Sequence, residues 1–178
     1  KALVIPLGAS TPLGSLGYAR AAVEMDAQLV SLAPAPATWV FLSSSSCGTL
    51  AGLLLGFSLL GRRDVRLVAV SADTPADEMR RDAVRLATDA GALLGWRGPL
   101  ITEGLSCDDT QVGAGYGIPT PASEQASRLL GVTHGIVVDP FYTAKAAAGM
   151  LAWIRSGQVP AGDRVVFLHT GGHPAVLA

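Results

Sequence analysis

Apolar residues fall along this chain in two patterns, and their order suggests an architecture. Residues 39–42, 65–71, 135–139 and 164–169 are continuous Val-, Ile- or Leu-rich runs without polar alternation, and each ends in small or turn-forming residues. Such runs predict strands buried on both faces of a parallel sheet. Between them apolar residues return at helical spacing, as Leu16, Ala19, Ala22 and Val23 do. The spacing predicts helices over about 15–29, 50–60, 74–90, 123–131 and 143–154, several ending at a glycine. Residues 2–5 predict a further short strand, whereas 94–111 follow neither period. Strand and helix alternate with no hairpin signal. The expected fold is α/β, an open, mainly parallel sheet with helices on both faces.

Composition narrows the function classes. The 178 residues are 49% hydrophobic and 15% charged, which suits one ordered domain with a real core. Thirteen basic against fourteen acidic residues give no basic face for nucleic acid. Every apolar run is interrupted before it could span a bilayer, so no membrane partner is expected. Two cysteines, Cys47 and Cys107, make no disulfide framework and favour a reducing cytoplasm. Only two of the thirteen basic residues are lysines, Lys1 and Lys145. The chain opens at Lys1 without methionine and enters an apolar run at once, as expected of a piece that begins inside a domain.

The most informative stretch is 39–60, where an apolar run meets Ser43-Ser-Ser-Ser-Cys-Gly-Thr49 and then a second apolar segment. Strand, small-residue turn and helix in that order place free N–H groups and hydroxyls at the positive end of a helix, a site for a phosphate or similar anion. The G-x-x-x-x-G-K-[ST] and G-x-G-x-x-G patterns are absent, so neither a nucleoside triphosphate nor a dinucleotide is indicated. Two other readings stand beside this one. The turn suits an ordinary Ser or Thr helix cap. Cys47 at a helix N-terminus suits a nucleophile of lowered pKa, with His169 or His173 as base. Loops 139–143 and 169–172 also follow strands, so all three should meet at one edge of the sheet.

Five blocks together resemble the D-cysteine desulfhydrase and 1-aminocyclopropane-1-carboxylate (ACC) deaminase family. They are Val4-Ile-Pro-Leu-Gly-Ala-Ser10 with Leu13-Gly14 and Leu16-Gly-Tyr18, Cys47-Gly-Thr-Leu-Ala-Gly-Leu53, Gly115-Tyr-Gly-Ile-Pro119, Asp139-Pro-Phe-Tyr-Thr-Ala-Lys145 and His169-Thr-Gly-Gly172. The resemblance implies pyridoxal 5'-phosphate (PLP) as cofactor, a small amino acid as substrate, and a homodimer or pairing with a chain that supplies the N-terminal half. It implies that Ser44, Ser45, Ser46, Cys47, Gly48 and Thr49 hold the cofactor phosphate, that Thr170 lies by the pyridine nitrogen with Thr143 nearby, and that Tyr142 and Tyr116 serve proton transfer.

Thr143 and Thr170 match the desulfhydrase side of the family. They imply α,β-elimination to pyruvate and ammonia, with ACC-type ring opening and a non-catalytic phosphate-binding or assembly subunit as alternatives. Residues 1–178 are identified with the C-terminal part of the large cofactor domain. The family's Schiff-base lysine and most of its small domain have no counterpart here, and Lys145 matches a non-catalytic lysine, so the chain alone is expected to be inactive. The turn departs from the family in having Ser45 for a glycine, Leu50 for a frequent histidine and Cys47 for Gly or Ala, which implies less backbone freedom.

Overall fold

The computed structural model describes residue 2 and residues 4–171; Gly172 and His173 lie outside the described residues. Four strands, β1 (Thr38–Ser44), β2 (Val65–Ser71), β3 (Leu105–Asp108) and β4 (Arg164–Leu168), form one sheet in the order β3-β2-β1-β4. Every pairing is parallel, with Thr38 opposite both Val65 and Arg164, and Leu67 opposite Leu105. The helices are α1 (Pro12–Val30), α2 (Gly48–Leu59), α3 (Ala76–Leu93), α4 (Pro121–His134) and α5 (Thr143–Arg155). An α/β parallel sheet was the expectation, and it is what the chain forms.

The continuous apolar runs are explained by burial on both faces. Val40 and Leu42 of β1 point into a core with Leu50, Leu53 and Leu54 of α2 and Met79, Ala83 and Leu86 of α3. Phe41 points the other way, against Val68, Val70 and the α5 residues Ala146 and Met150. Helix α4 packs outside α5 through Ala126 and Leu130 against Ala144, Ala147 and Ala148. Helix α2 is buried from Leu50 to Ser58 on all sides, because α1, α3 and the sheet enclose it, so it lacks an amphipathic period.

Chain direction and handedness then locate the site. The path β1–α2–β2–α3–β3 moves towards one edge, and the return through α4 and α5 reaches β4 on the other side of β1. Right-handed crossovers in opposite directions put the two helix sets on opposite faces. The order reverses between β1 and β4, and the crevice beyond Ser44 and Leu168 is the switch point where such sheets take ligands.

Three expectations are corrected. Residues 135–139 form no strand. Gly135 closes α4 in the left-handed region (φ 65°), and only Val138 and Asp139 of the five are buried. In place of a ladder, His169 donates from Nε2 to the Val137 carbonyl at 2.7 Å, and Gly171 N–H donates to Nδ1 at 3.1 Å. Strand β3 lies in the stretch that followed neither period. Its sequence, Leu-Ser-Cys-Asp, has one buried apolar residue and no Val run, and only four residues pair it to β2 at one edge of the sheet. Of residues 2–5, those described make no strand, and Val4 and Ile5 are 83% and 71% exposed.

Helices α1 and α2 approach closely because Gly52 and Gly56 present no side chain. A Cβ at Gly52 would lie 2.2 Å from the Ser15 carbonyl oxygen, whereas one at exposed Gly17 would meet nothing within 4 Å. Gly52→Ala is therefore expected to destabilise the fold by about 1–3 kcal/mol through overpacking. Gly17→Ala is expected to stabilise it by about 0.5–1 kcal/mol through lower unfolded-chain entropy. Urea midpoints of the two variants, read at unchanged m-value, check the opposite signs.

Candidate functional site

Strand β1 ends at buried Ser44, three residues turn, and α2 starts at Gly48. The turn closes because Cys47 takes a left-handed conformation (φ 66°, ψ −2°), and Cys47 makes no side-chain cap bond to the helix. The restriction expected of a turn with Ser45 and Cys47 in place of smaller residues falls at Cys47, where the left-handed conformation costs an L-residue about 1–2 kcal/mol. The first-turn N–H groups of α2 have no intrahelical acceptor. One of them, Gly48 N–H, donates to Ser10 Oγ at 3.2 Å, and that hydroxyl donates to Ser46 Oγ at 2.8 Å.

The N-terminal loop therefore closes the cup from above. It can do so only because Gly8 and Gly48 lack side chains: their Cβ atoms would fall 2.4 Å from Ser46 Oγ and 2.6 Å from Ser10 Oγ. The enclosed cavity is about 200 Å³, and Ser44, Ser46, Cys47, Gly48, Thr49 and Tyr142 are in its wall. Among the described residues no charged side chain lines it. An anion there meets helix N–H groups and hydroxyls with no opposing carboxylate.

Through Gly8, Ser46 and Tyr142 the cup joins a larger cleft of about 730 Å³. Ser45, Tyr116, Thr170 and Gly171 line that cleft, with Asp73, Asp139 and Phe141. Residues of the expected loops 43–49, 139–143 and 169–171 do meet around this cleft, but only the first and last follow strands, since 139–143 follows the irregular stretch after α4. Ser45 Oγ donates to Asp73 Oδ1, joining the loops after β1 and β2.

Tyr142 owes its place to Asp139, whose role the sequence reading missed. The buried Asp139 carboxylate accepts from the N–H groups of Phe141, Tyr142 and Thr143 at 3.0, 2.8 and 2.9 Å and from Thr143 Oγ1 at 2.6 Å. It caps the N-terminus of α5 from three residues outside. Thr143 Oγ1 also accepts from Asp139 N–H at 2.9 Å, so this fully buried hydroxyl is engaged inside the fold and lines neither cavity. Ser43 Oγ donates to the Tyr142 carbonyl at 3.3 Å, tying the turn to β1. The Tyr142 phenol has its pKa raised chiefly by burial, with the nearby Tyr116 adding to it. An Asp followed by Pro and an Asx-type turn was the available signal for Asp139. For Ser10 the signal was its place in a Gly- and Pro-punctuated loop.

Cys47 is corrected as a nucleophile. Burial pushes its pKa up to about 11, outweighing the helix end, and its thiol donates to the carbonyls of Ser45 and Met79 at 3.3 and 3.4 Å. Both ring nitrogens of His169 are committed to Val137 and Gly171.

A family model described as "Pyridoxal-phosphate dependent enzyme" matches residues 1–171. The chain belongs to this PLP-dependent family. Curated relatives include D-cysteine desulfhydrases of Yersinia pestis (strain Pestoides F) and Salmonella paratyphi C (strain RKS4594), 34% and 33% identical over 98% of this chain and 52% of each relative. The chain therefore spans about half the length of these relatives. A solved ACC deaminase homologue is 32% identical with a TM-score of 0.78, over 95% of this chain and 49% of that one. An O-acetylserine sulfhydrylase isoform 3 from Entamoeba histolytica shares the fold at 16% identity and a TM-score of 0.53. PLP is the cofactor of the family, and an uncapped helix end in a charge-free cup beside a cleft of ring size fits its phosphate and pyridine.

Two outcomes follow from the site. Asp139→Ala leaves three buried-turn N–H groups and the Thr143 hydroxyl without their acceptor, and should cost about 2–3 kcal/mol in urea unfolding. Cys47 and Cys107 both have pKa values raised to about 11, chiefly by burial. The native state keeps thiol protons that the unfolded chain releases above about 8.5. Their contribution is fully present below that pH and is lost as pH rises through 11. Unfolding free energy should fall between pH 8.5 and 11, with a shallower slope in Cys107→Ser.

Proposed function

We propose that this chain provides the phosphate cup and the ring-facing loops of a PLP-dependent lyase of the D-cysteine desulfhydrase type, which eliminates the β-substituent of a small amino acid to give pyruvate and ammonia. The observation that carries the reading is the uncapped start of α2, enclosed by hydroxyls and glycines, opening into a cleft walled by Tyr116, Tyr142 and Thr170. When bound, PLP supplies an electron sink for the charge left at the substrate α-carbon. Thr49 N–H and the Ser44 and Ser46 hydroxyls would hold its phosphate, joined by Gly48 N–H on exchanging its Ser10 acceptor. Thr170, in the wall of the cleft, would offer the pyridine nitrogen a neutral hydroxyl, which leaves it largely unprotonated. Thr143 acts one step back, by fixing Asp139 and through it Tyr142.

Tyr142, like any phenol, keeps its proton at neutral pH, and burial disfavours its phenolate further. It therefore enters the reaction as a proton donor, a role that Tyr116 shares from the solvent side of the cleft. On this reading Lys145, its ammonium committed to three carbonyls, does not carry the cofactor, and the cofactor-bearing lysine belongs to the part of the relatives' length that this chain does not span. The whole protein acts in the cytoplasm as a homodimer. Ring opening of ACC is the second reading, favoured by the solved homologue at 32% identity.

Substrate turnover by this chain together with the segment that carries the cofactor lysine separates the two: sulfide and pyruvate from D-cysteine support elimination, and ammonia from ACC without sulfide from D-cysteine supports ring opening. Ser46→Asp places a carboxylate against the phosphate and should weaken PLP binding about ten-fold or more, read by equilibrium dialysis. Borohydride reduction with PLP followed by peptide mapping should leave Lys145 unlabelled, and a labelled Lys145 peptide contradicts the assignment.

A further inference from the structure

Lys145 has no role in the site described above, yet its setting is unusual. Its side chain is 0% exposed, and it occupies the third position of α5, where a cation opposes the helix dipole. Burying an ammonium is costly unless its donors are met. All three are met by backbone carbonyls: Val112 and Gly115 at 2.8 Å each, and Ala72 at 3.3 Å. Burial lowers its pKa, and the Asp73 carboxylate opposes that shift.

The three carbonyls belong to segments that shape the cleft. Ala72 precedes Asp73, which accepts from Ser45 of the phosphate turn. Val112 and Gly115 belong to the loop that carries Tyr116. That loop has little of its own to hold it: Gly113, Gly115 and Gly117 all have positive φ, and its turn bonds Gly115 N–H to Val112 and Ile118 N–H to Gly115 are 3.3 and 3.4 Å long. Helix α5 reaches these segments because Gly149, one turn beyond Lys145 on the same face, lets it lie against β2. A Cβ at Gly149 would fall 2.7 Å from the Val70 side chain.

We infer that Lys145 is a positioning residue whose buried ammonium clamps the Tyr116 loop to the loop after β2 and to the start of α5, and so sets Tyr116 opposite Tyr142. Its functional meaning rests on reading the cleft as the substrate site; the clamp itself rests on the three bonds. An ammonium on a tether thus fixes the mouth of the cleft without entering the chemistry.

Amide hydrogen exchange on the protein tests this, with Lys145→Met, which keeps the apolar stem and removes the charge. Exchange at residues 112–117 should rise about ten-fold or more while β1 and β2 amides keep their rates. Lys145→Ala should behave alike, and n-propylammonium, sized to the deleted stem, should restore protection where propanol does not. Unchanged exchange at 112–117, uniform acceleration across the sheet, or no restoration by propylammonium overturns the clamp. If the variants do not fold, the unmutated protein decides. Amine acylation of Lys145 should proceed at the rate at which 112–117 open, and acylation while those amides stay protected overturns the clamp. PLP binding by the unmutated protein is measured separately. Its absence alongside local loosening in Lys145→Met removes the phosphate-cup reading and leaves the clamp standing.

Discussion

A helix that starts where a buried parallel strand ends must do something with its first N–H groups, and in this fold no side chain of the helix cap accepts from them. Cys47 stands at the cap position of α2 without a capping bond, and the Ser10 hydroxyl from a distant loop meets one of the exposed donors. The arrangement sits at the carboxyl end of β1, beside the point where the strand order reverses. Backbone polar groups at such a place need partners, and a bound anion is the partner that both the dipole and the geometry favour. Much of the surrounding structure follows from keeping that helix end open and enclosed. Glycines at 8 and 48 bring the N-terminal loop over it, and glycines at 52 and 56 seat α1 along α2.

Openness at the helix end has a counterpart in tightly satisfied polar groups around it. Asp139 receives four hydrogen bonds and holds Tyr142 at the rim; Lys145 gives three and holds the loop of Tyr116. Two buried charges of opposite sign, Asp139 and Lys145, each three residues from Tyr142, fix the two tyrosines without belonging to the reacting set. The strain at Cys47 fits the same division, since sparsely populated backbone conformations persist where surrounding contacts over-determine them. Its thiol, buried and protonated, serves packing.

Much of this was legible in the sequence. The runs at β1 and β2 announced themselves because strands buried on both faces need no alternation; β4, a half-buried edge strand, showed itself only by its Val-Val-Phe-Leu run, and Ser43–Thr49 announced a turn because only small residues fit there. Residues 135–139 read as a strand for the same reason, yet a helix cap at Gly135 and a turn at Asp139 leave too little chain to pair. Edge strand β3 went unseen since half-buried edges tolerate Ser, Cys and Asp. Partners far apart in sequence were also invisible: Ser10 with Ser46 and Gly48, Ser45 with Asp73, and Lys145 with Ala72 and Gly115 each join loops that only the folded sheet brings together. Thr143 shows the limit of residue-by-residue transfer from a family, because its hydroxyl faces Asp139 and not the cleft.

The central claim is that the open start of α2 receives the phosphate of PLP. Amide ¹H–¹⁵N spectra of the protein titrated with PLP, and separately with inorganic phosphate, test it most directly. The account predicts that the Thr49 and Leu50 N–H signals shift downfield with both, as donors to an anion do, and at lower concentration with PLP, while Gly48 N–H, which starts from a bond to Ser10, moves as it changes acceptor. Shifts confined to other residues, with Thr49 and Leu50 unmoved while PLP is bound, would contradict it.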